Sequence, residues 1–333
     1  MSNNSHPVTY GEALIEALQE EMRRDPAIFL MGYYLPKSIF FVPADSLLQE
    51  FGSSRCVLTP VSEAGIVGSA VGAAMAGLRP VVDLRLSSFA WYATDQFVNQ
   101  AARNRYLSGG QVSVPAVFVM NVSPGSRAGA QHSDRSYPLF MHIPGFNVLA
   151  PSTPYDAKGL LKAALRQDNP VILYLDNAPG PRYGGRRQEI PNGDYTVPIG
   201  RAIVHRQGSD VTVVPICWLH RTMEVVDKLA QEGISCEVVE PRTLKPLDID
   251  CILKSVAKTG RLVVVDISHP CCGAAAEVAA SIADEGFGYL KAPVTRVTTP
   301  DIHIPAAPAL EDEVWPTPDR IAAAIRQSVG YRR

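Results

Sequence analysis

Short apolar runs alternate with segments of helical periodicity along almost the whole chain. Apolar side chains that recur every three or four residues indicate amphipathic helices, and short continuous apolar runs indicate buried strands. Because the two kinds of segment alternate, we predict an α/β protein with mainly parallel sheets flanked by helices. The predicted strands are residues 28–31, 81–84, 116–120, 147–149, 171–175, 211–215, 236–239, 262–266 and 294–297.

Several predicted helices carry capping signals at their first turn. Glu12 follows Thr9 by three residues, which is the spacing of a capping box, so a helix is predicted to start at Thr9. Thr153 and Thr317 each precede a proline, and proline suits the first position of a helix. The other periodic segments predict helices at residues 64–76, 91–107, 155–166, 219–231, 249–257, 274–284 and 319–327.

The pattern breaks at residues 177–198, which are rich in glycine, proline and arginine. Such a stretch is typical of a connection between domains. We therefore predict a first domain at residues 1–185, a linker at residues 186–200 and a second domain at residues 201–333. A chain of 333 residues is long enough for two domains with separate cores.

Composition and charge limit the kinds of molecule that the chain is expected to bind. Hydrophobic residues make up 46% of the chain and charged residues 19%, as in globular proteins. The 31 basic and 33 acidic side chains nearly balance, so nothing favours binding to nucleic acid or to an anionic membrane. No apolar run reaches the roughly 20 residues that span a bilayer, and the N-terminus lacks the features of a signal peptide. We expect a cytoplasmic protein.

The six cysteines form no CxxC pair, which favours reduced thiols over a disulfide framework or a zinc site. Cys271 and Cys272 are adjacent in the sequence and are a candidate redox-active pair.

Glu63 begins a helical segment that consists almost wholly of small and apolar residues. Small side chains permit close packing, so an acid at this point would be partly desolvated, and desolvation favours its protonated form. Such an acid could share a proton with a ring nitrogen. Alternatively, Glu63 only interacts favourably with the helix dipole in the first turn. The residues alone leave both interpretations open.

A second candidate lies in the loop after the predicted strand 116–120, where Gln131 and His132 follow a stretch rich in glycine and serine. Loops at the carboxyl ends of strands bind ligands in open α/β sheets, so His132 is a candidate proton donor or acceptor. A solvated loop histidine is the alternative. Because His132, Ser133 and Asp134 are consecutive, they cannot by themselves form a hydrolase triad.

Aromatic residues, with Phe89 first, follow the predicted strand 81–84. Their rings could hold a flat heterocycle, or they could simply pack in the core. The sequence contains neither a GxGxxG motif after a strand nor a P-loop, which disfavours dinucleotide sites and P-loop nucleotide sites.

Five long motifs occur in a fixed order: TPVSEAGIVGSAVGAAMAGLRPVVD, DQFVNQAARNRYLSGGQVSVPAVF, GAQHS, PGFNVLAPSTPYDAKGLLKAALRQDNPVI and GISCEVVEPRTLKPLD. With them, the chain resembles the β subunit of the thiamine diphosphate-dependent decarboxylating component of 2-oxo acid dehydrogenase complexes, in the transketolase-like superfamily. The pyruvate dehydrogenase type is the nearest. The resemblance runs collinearly from about Thr9 to the C-terminus.

This resemblance implies a pyrimidine-binding domain followed by a transketolase C-terminal-like domain, in an α2β2 heterotetramer. It implies decarboxylation of a 2-oxo acid, with pyruvate as the first candidate, and transfer of the acyl unit to a lipoyl-bearing acyltransferase or an acyl carrier protein. The α subunit is expected to hold the diphosphate and Mg²⁺. This chain has no Gly-Asp-Gly motif with a downstream asparagine, which usually holds them.

The resemblance also implies roles for single residues. Glu63 matches the glutamate that hydrogen-bonds the cofactor's aminopyrimidine ring, and Phe89, with Ile66, matches the residues packed near that ring. His132 matches the histidine that assists acyl transfer, and Asp95 matches an acid in a polar channel between paired active sites. A structural K⁺ is expected on backbone carbonyls near Ala164, Leu165, Gln167 and Asn169.

Three departures from the family pattern leave a second hypothesis open. Tyr33 and Tyr34 stand where acids are usual, so a proton path between active sites would lose a carboxylate. Arg127, close to Gln131, could bind a substrate carboxylate or phosphate. Residues 268–273 replace a family segment that bears on subunit contacts, which leaves the lipoyl partner open.

The second hypothesis is a transketolase-like enzyme that transfers a two-carbon unit from a ketose or hydroxy-oxo acid to a carrier-protein thiol. A third hypothesis, a non-catalytic scaffold subunit, is opposed by the presence of both Glu63 and His132.

Overall fold

The computed structural model describes residues 5–35, 37–40, 42–122, 124–175 and 187–332. They form two compact units, Met1–Ser126 with Gln131–Ile199 and Arg127–Ala130 with Gly200–Arg333. Residues 187–199 of the predicted linker belong to the first unit, whereas residues 176–186 lie outside the described residues. The domain limits given above therefore stay a prediction.

A mainly parallel sheet forms the centre of the first unit. The strands of this unit are β1 (Ser5–Val8), β2 (Ile28–Gly32), β3 (Ser38–Ile39), β4 (Val42–Pro43), β5 (Cys56–Leu58), β6 (Arg79–Leu86), β7 (Val117–Asn121), β8 (Asn147–Leu149), β9 (Val171–Leu175) and β10 (Gln188–Pro191). Parallel pairing gives the order β8-β9-β7-β6-β2-β5, and the short pairs β1-β10 and β3-β4 are antiparallel. Strands β7 and β9 are buried along their whole length, as continuous apolar runs predict.

The helices of the first unit cover the sheet. They are α1 (Tyr10–Arg24), α2 (Asp45–Phe51), α3 (Glu63–Met75), α4 (Asn104–Leu107), α5 (Tyr137–His142) and α6 (Pro154–Leu165). The predicted capping box is confirmed: the Glu12 amide donates to the Thr9 hydroxyl, and the Thr9 amide donates to the Glu12 carboxylate at 2.8 Å. The predicted cap of α6 is confirmed as well, because Thr153 accepts a hydrogen bond from the Asp156 amide.

Helices α1 and α6 are joined by charged side chains. Lys158 and Lys162 are almost wholly buried. The Lys158 ammonium lies 3.0 Å from Glu16 and 2.7 Å from Glu20, and Lys162 pairs with Glu20 and, at 2.6 Å, with Asp194. Buried lysines need such partners because an isolated charge in the core is costly. Asp194 thus attaches the segment after β10 to α6.

The predicted helical segment 91–107 is helical over most of its length but is not one continuous α-helix. Its path begins with a 3-10 helix, Ser87–Ala93, continues as a π-helix, Gln96–Ala101, and ends in α4. Phe97 is fully buried, and its ring packs edge-to-face on Phe118 and Phe140, with centroids 4.9 and 5.1 Å away. The change of helix type along this segment is not visible in the periodicity of the sequence.

The second unit is smaller and also has an α/β architecture. Its strands are β11 (Ile203–Arg206), β12 (Val211–Ile216), β13 (Cys236–Glu240), β14 (Thr243–Lys245), β15 (Leu262–Asp266) and β16 (Thr295–Thr298). Its helices are α7 (Leu219–Gln231), α8 (Ile249–Thr259), α9 (Ala274–Glu285), α10 (Pro308–Val314) and α11 (Pro318–Gly330). The sheet order is β11-β13-β12-β15-β16, with β11 antiparallel at one edge. Among the described residues, no helix is long and apolar enough to cross a bilayer.

Candidate active site

Four candidate residues of the first unit follow four neighbouring strands. Tyr33 comes directly after β2, Glu63 after β5, Phe89 after β6 and His132 after β7. These strands are parallel and adjacent in the order β7-β6-β2-β5, so all four residues lie at the carboxyl edge of one sheet. In open parallel sheets this edge is where ligands bind.

Three aromatic rings form a row along this edge. The Phe89 and His132 rings meet edge-on, with centroids 5.4 Å apart, and the centroid of Tyr33 is 6.5 Å from that of Phe89. His132 and Gln131 are exposed, whereas Phe89 and Tyr33 are half-buried. The rings therefore line a surface that solvent can reach, and the Phe89 and Tyr33 rings make part of this surface apolar.

Glu63 stands at the end of this row. It is the first residue of α3 and is half-buried, and Ile66, one turn further on, is buried. Burial and, next, the negative charge of Glu63 raise the pKa of Tyr33 well above its ordinary value. The two side chains are thus close enough to interact. Glu63 also lies in the first turn of α3, where the helix dipole favours an acidic side chain. This favourable interaction is expected whether or not Glu63 also binds a ligand.

The loop that carries His132 is tied to the segment that carries Phe89. The Asp134 amide donates to the Ser88 hydroxyl at 3.1 Å, and the Trp91 indole donates to the Asp134 carboxylate at 2.9 Å. The Ser136 amide donates to Ser87 at 2.8 Å. These bonds fix the His132 loop beside Phe89. Sequence reasoning did not identify the Trp91–Asp134 pair, since nothing local links residues 43 positions apart.

A buried carboxylate behind Tyr33 was also not anticipated. Asp83 accepts hydrogen bonds from the Phe40 and Arg85 amides at 2.9 and 2.8 Å, and burial raises the pKa of its carboxyl. The Arg85 guanidinium lies 4.3 Å from the centre of the Tyr34 ring. In the sequence, the only sign of this buried carboxylate is that Asp83 lies inside the otherwise apolar predicted strand 81–84.

Three buried polar atoms near the same edge have no hydrogen-bond partner in the described part of the chain. They belong to Thr59 after β5, Asn121 at the end of β7 and Ser133 next to His132. Buried polar atoms are normally paired, so unpaired ones call for an explanation such as water or a ligand.

Arg127 does not keep the free guanidinium that substrate binding would need. Its two terminal nitrogens donate to Glu311 at 3.3 Å and to both oxygens of Asp312 at 2.8 and 2.9 Å. The arginine thus binds carboxylates of its own unit. Asp95 is exposed and accepts hydrogen bonds from Gln96 and Asn99 on the same helical segment.

The carbonyls suggested for K⁺ lie at the end of α6. The Leu165 and Gln167 carbonyls accept hydrogen bonds from the Arg79 guanidinium at 3.2 and 2.9 Å. The Asn169 side chain accepts one from Arg105 at 2.8 Å. Arg79 thus already brings a positive charge to two of the suggested carbonyls.

Comparison with known proteins identifies two domain families in the chain. Residues 6–178 match the transketolase pyrimidine-binding domain, and residues 200–321 match the transketolase C-terminal domain.

Curated relatives match along nearly the full length. The acetoin:2,6-dichlorophenolindophenol oxidoreductase subunit beta of Cupriavidus necator is 41% identical, with 95% of this chain and 96% of the relative covered. The Bacillus subtilis protein of the same name is 38% identical over 97% of both chains. The pyruvate dehydrogenase E1 component subunit beta of Rickettsia felis is 39% identical, with 97% and 99% covered.

A solved structure described as a split gene transketolase, inactive beta4 tetramer, has the same fold. Its TM-score is 0.78 with 21% sequence identity, and the match covers 98% of this chain and 100% of that one. At this identity the likeness supports the fold alone.

Proposed function

The chain belongs to the transketolase-like family that includes the β subunits of pyruvate dehydrogenase E1 components and acetoin oxidoreductases, and from this premise we propose that it is the β subunit of a thiamine diphosphate-dependent dehydrogenase. The observation that carries the proposal is the alignment of Glu63 with the Tyr33, Phe89 and His132 rings on four neighbouring strands. Pyruvate is the first candidate donor. Acetoin is the second, because two relatives bear its name.

The residues at this edge suit the pyrimidine end of the cofactor. Half-buried Phe89 offers an aromatic face to a flat ring, and half-buried Glu63 offers a carboxyl group that can hydrogen-bond a ring nitrogen. The unpaired oxygens of Thr59, Asn121 and Ser133 are further groups that a polar heterocycle or substrate could satisfy.

When bound, thiamine diphosphate supplies a nucleophilic carbon and an electron sink for cleavage of the bond next to a carbonyl. Glu63 would hold the pyrimidine ring through a hydrogen bond between its carboxyl group and a ring nitrogen. His132, exposed at the end of the aromatic row, is placed to exchange a proton with the substrate or with an incoming thiol. The acceptor in this proposal is a lipoyl group or another carrier thiol.

We assign the diphosphate and Mg²⁺ to an α subunit in an α2β2 assembly. Exposed apolar side chains in the segments that carry Glu63 and Phe89 support a partner at this edge: Val61 is 72% exposed, and Trp91 and Tyr92 are 49% and 76% exposed. After Glu63, helix α3 contains no charged residue, and its Gly65, Ser69 and Gly72 are exposed. Apolar surface of this kind commonly marks an interface. The K⁺ near the end of α6 stays a prediction.

The ketose hypothesis is not retained. Arg127 and the pair Tyr33-Tyr34 motivated it, and the guanidinium of Arg127 is bound by Glu311 and Asp312. The relatives quoted above are named for pyruvate and acetoin and match almost the whole chain.

An assay of the assembled enzyme tests the proposal. The chain is co-expressed with a candidate α subunit that carries a Gly-Asp-Gly motif with a downstream asparagine, and reduction of 2,6-dichlorophenolindophenol is followed with pyruvate, acetoin or a ketose phosphate. We expect cofactor-dependent reduction with pyruvate or acetoin and none with the ketose phosphate. Turnover of the ketose phosphate alone, or no cofactor-dependent turnover by a verified heterotetramer, would contradict it.

A further inference from the structure

Two adjacent thiols lie in the loop that joins β15 to α9 in the second unit. Cys271 and Cys272 are both exposed, and their sulfur atoms are 3.8 Å apart. Three of the other cysteines are buried, and Cys251 is half-buried. The pair therefore combines accessibility with a short sulfur–sulfur distance, and the function proposed above makes no use of it.

The loop is fixed at its base. The Asp266 carboxylate accepts hydrogen bonds from the Ser268 and Ala275 amides at 2.9 and 3.0 Å, which joins the two ends of the loop. A side chain on Gly273 would meet the His269 carbonyl at 2.3 Å, so the backbone there is closely packed.

Further contacts hold the residues just before the thiols. The Arg296 guanidinium donates to the Pro270 carbonyl at 2.7 Å, and the His269 ring is 2.8 Å from the Pro300 carbonyl. Cys272 has a positive φ of 52°, which is uncommon for a residue with a side chain. Such a conformation persists where its surroundings determine it. The loop thus presents both thiols in a defined arrangement.

The distance between the sulfur atoms suits a shared ligand better than a disulfide. Neighbouring Cα atoms across a trans peptide are about 3.8 Å apart, whereas disulfides usually join Cα atoms about 4.4–6.8 Å apart. By contrast, two thiolates bound about 2.3 Å from one tetrahedral ion are themselves about 3.8 Å apart. The observed 3.8 Å is close to that separation, so one centre could bind both thiols with little movement of either side chain.

We propose that Cys271 and Cys272 form a two-thiol site for a single thiophilic metal or metalloid centre. With a divalent cation such as Cd²⁺, both thiols lose their protons to solvent, and two metal–sulfur bonds replace two metal–water bonds. With a monosubstituted trivalent arsenical, two arsenic–sulfur bonds replace two arsenic–oxygen bonds and two waters leave. Neither reaction changes an oxidation state, so no oxidant or reductant is needed.

Titration of the reduced full-length chain with Cd²⁺ or with phenylarsine oxide tests this site. The readouts are the sulfur-to-cadmium absorption band and the protection of individual cysteines from alkylation, mapped by mass spectrometry. We expect one equivalent of either probe to protect Cys271 and Cys272 together. In Cys272→Ser, binding should weaken about 100-fold or more because the second, intramolecular bond is lost.

Cys251→Ser is the matched control and should bind both probes like the unaltered chain. Cys271→Ser should weaken binding as much as Cys272→Ser, and both sites are exposed, so serine is accommodated. Protection of only one of the two cysteines would overturn the proposal. So would unchanged affinity in Cys272→Ser.

Discussion

At the scale of single residues, the chemistry depends on side chains that are held by others. His132 itself is exposed, and the hydrogen bonds that fix its loop come from Ser88 and Trp91 through Asp134. The histidine could be proposed from sequence because it follows a strand end. Its neighbours could not, since the Phe89–His132 contact joins residues 43 positions apart and depends on β6 and β7 being adjacent. The ion pairs of Arg127 could not be foreseen for the same reason, because Glu311 lies 184 residues away.

The Trp91–Asp134 hydrogen bond gives a prediction at this scale. Trp91→Phe keeps an aromatic ring but removes the donor, so His132 should be positioned less well. We expect kcat of the heterotetramer to fall about tenfold with KM nearly unchanged, and the pH profile to shift, since small misplacements near reacting groups are costly. Tyr106→Phe, at an 87% exposed ring, is the control and should leave kcat unchanged. An unaltered kcat and pH profile in Trp91→Phe would show that the Trp91–Asp134 hydrogen bond does not position His132.

At the scale of helices and strands, local signals were the most reliable. The Thr9 capping box and the Thr153 cap involve residues within one turn, so sequence alone defined them. Strand β10 was not predicted because its residues lie in a Gly- and Pro-rich stretch and pair with β1 at the other end of the unit. The change from 3-10 to π- to α-helix between Ser87 and Leu107 was not predicted because hydrophobic periodicity does not distinguish these helix types.

The α1–α6 pair gives a prediction for pH dependence. Burial alone would raise the pKa of Glu20, but hydrogen bonds from Lys158 and Lys162 outweigh it, and the pKa is lowered. A carboxylate with a lowered pKa stabilises the fold above its unfolded pKa of about 4.3, and this contribution is lost as the pH falls through the folded value. Glu20→Gln should therefore reduce the free energy of unfolding by about 1–2 kcal/mol at pH 7.

Urea denaturation of both proteins between pH 7 and pH 3 measures this effect. The difference between Glu20→Gln and the unaltered chain should shrink as the pH drops below about 4. Glu224→Gln, which affects a more exposed ion pair with Arg221, should change the unfolding free energy by no more than about 0.5 kcal/mol. A difference for Glu20→Gln that stays constant over the whole pH range would argue against the ionic contribution.

At the scale of the whole molecule, the candidate site arises from sheet order. Tyr33, Glu63, Phe89 and His132 are spread over 100 residues, and the order β7-β6-β2-β5 brings them to one edge. The parallel α/β class could be derived from periodicity, but the order of strands could not, because periodicity carries no information on which strands pair. The resemblance of the motifs suggested that these residues act at one site. The distances between the Tyr33, Phe89 and His132 rings are consistent with that suggestion.

The central claim is that Glu63 activates a cofactor whose charged end another subunit holds. Deuterium exchange at the C2 position of thiamine diphosphate, followed by NMR after rapid quench of the heterotetramer, tests this most directly. We predict that Glu63→Gln slows this exchange about 10²–10⁴-fold, the range for a general acid–base group. The exposed Glu313→Gln should leave it unchanged, and the isolated chain should neither bind the cofactor tightly nor accelerate exchange. Exchange at the normal rate in a correctly assembled Glu63→Gln heterotetramer would contradict the account.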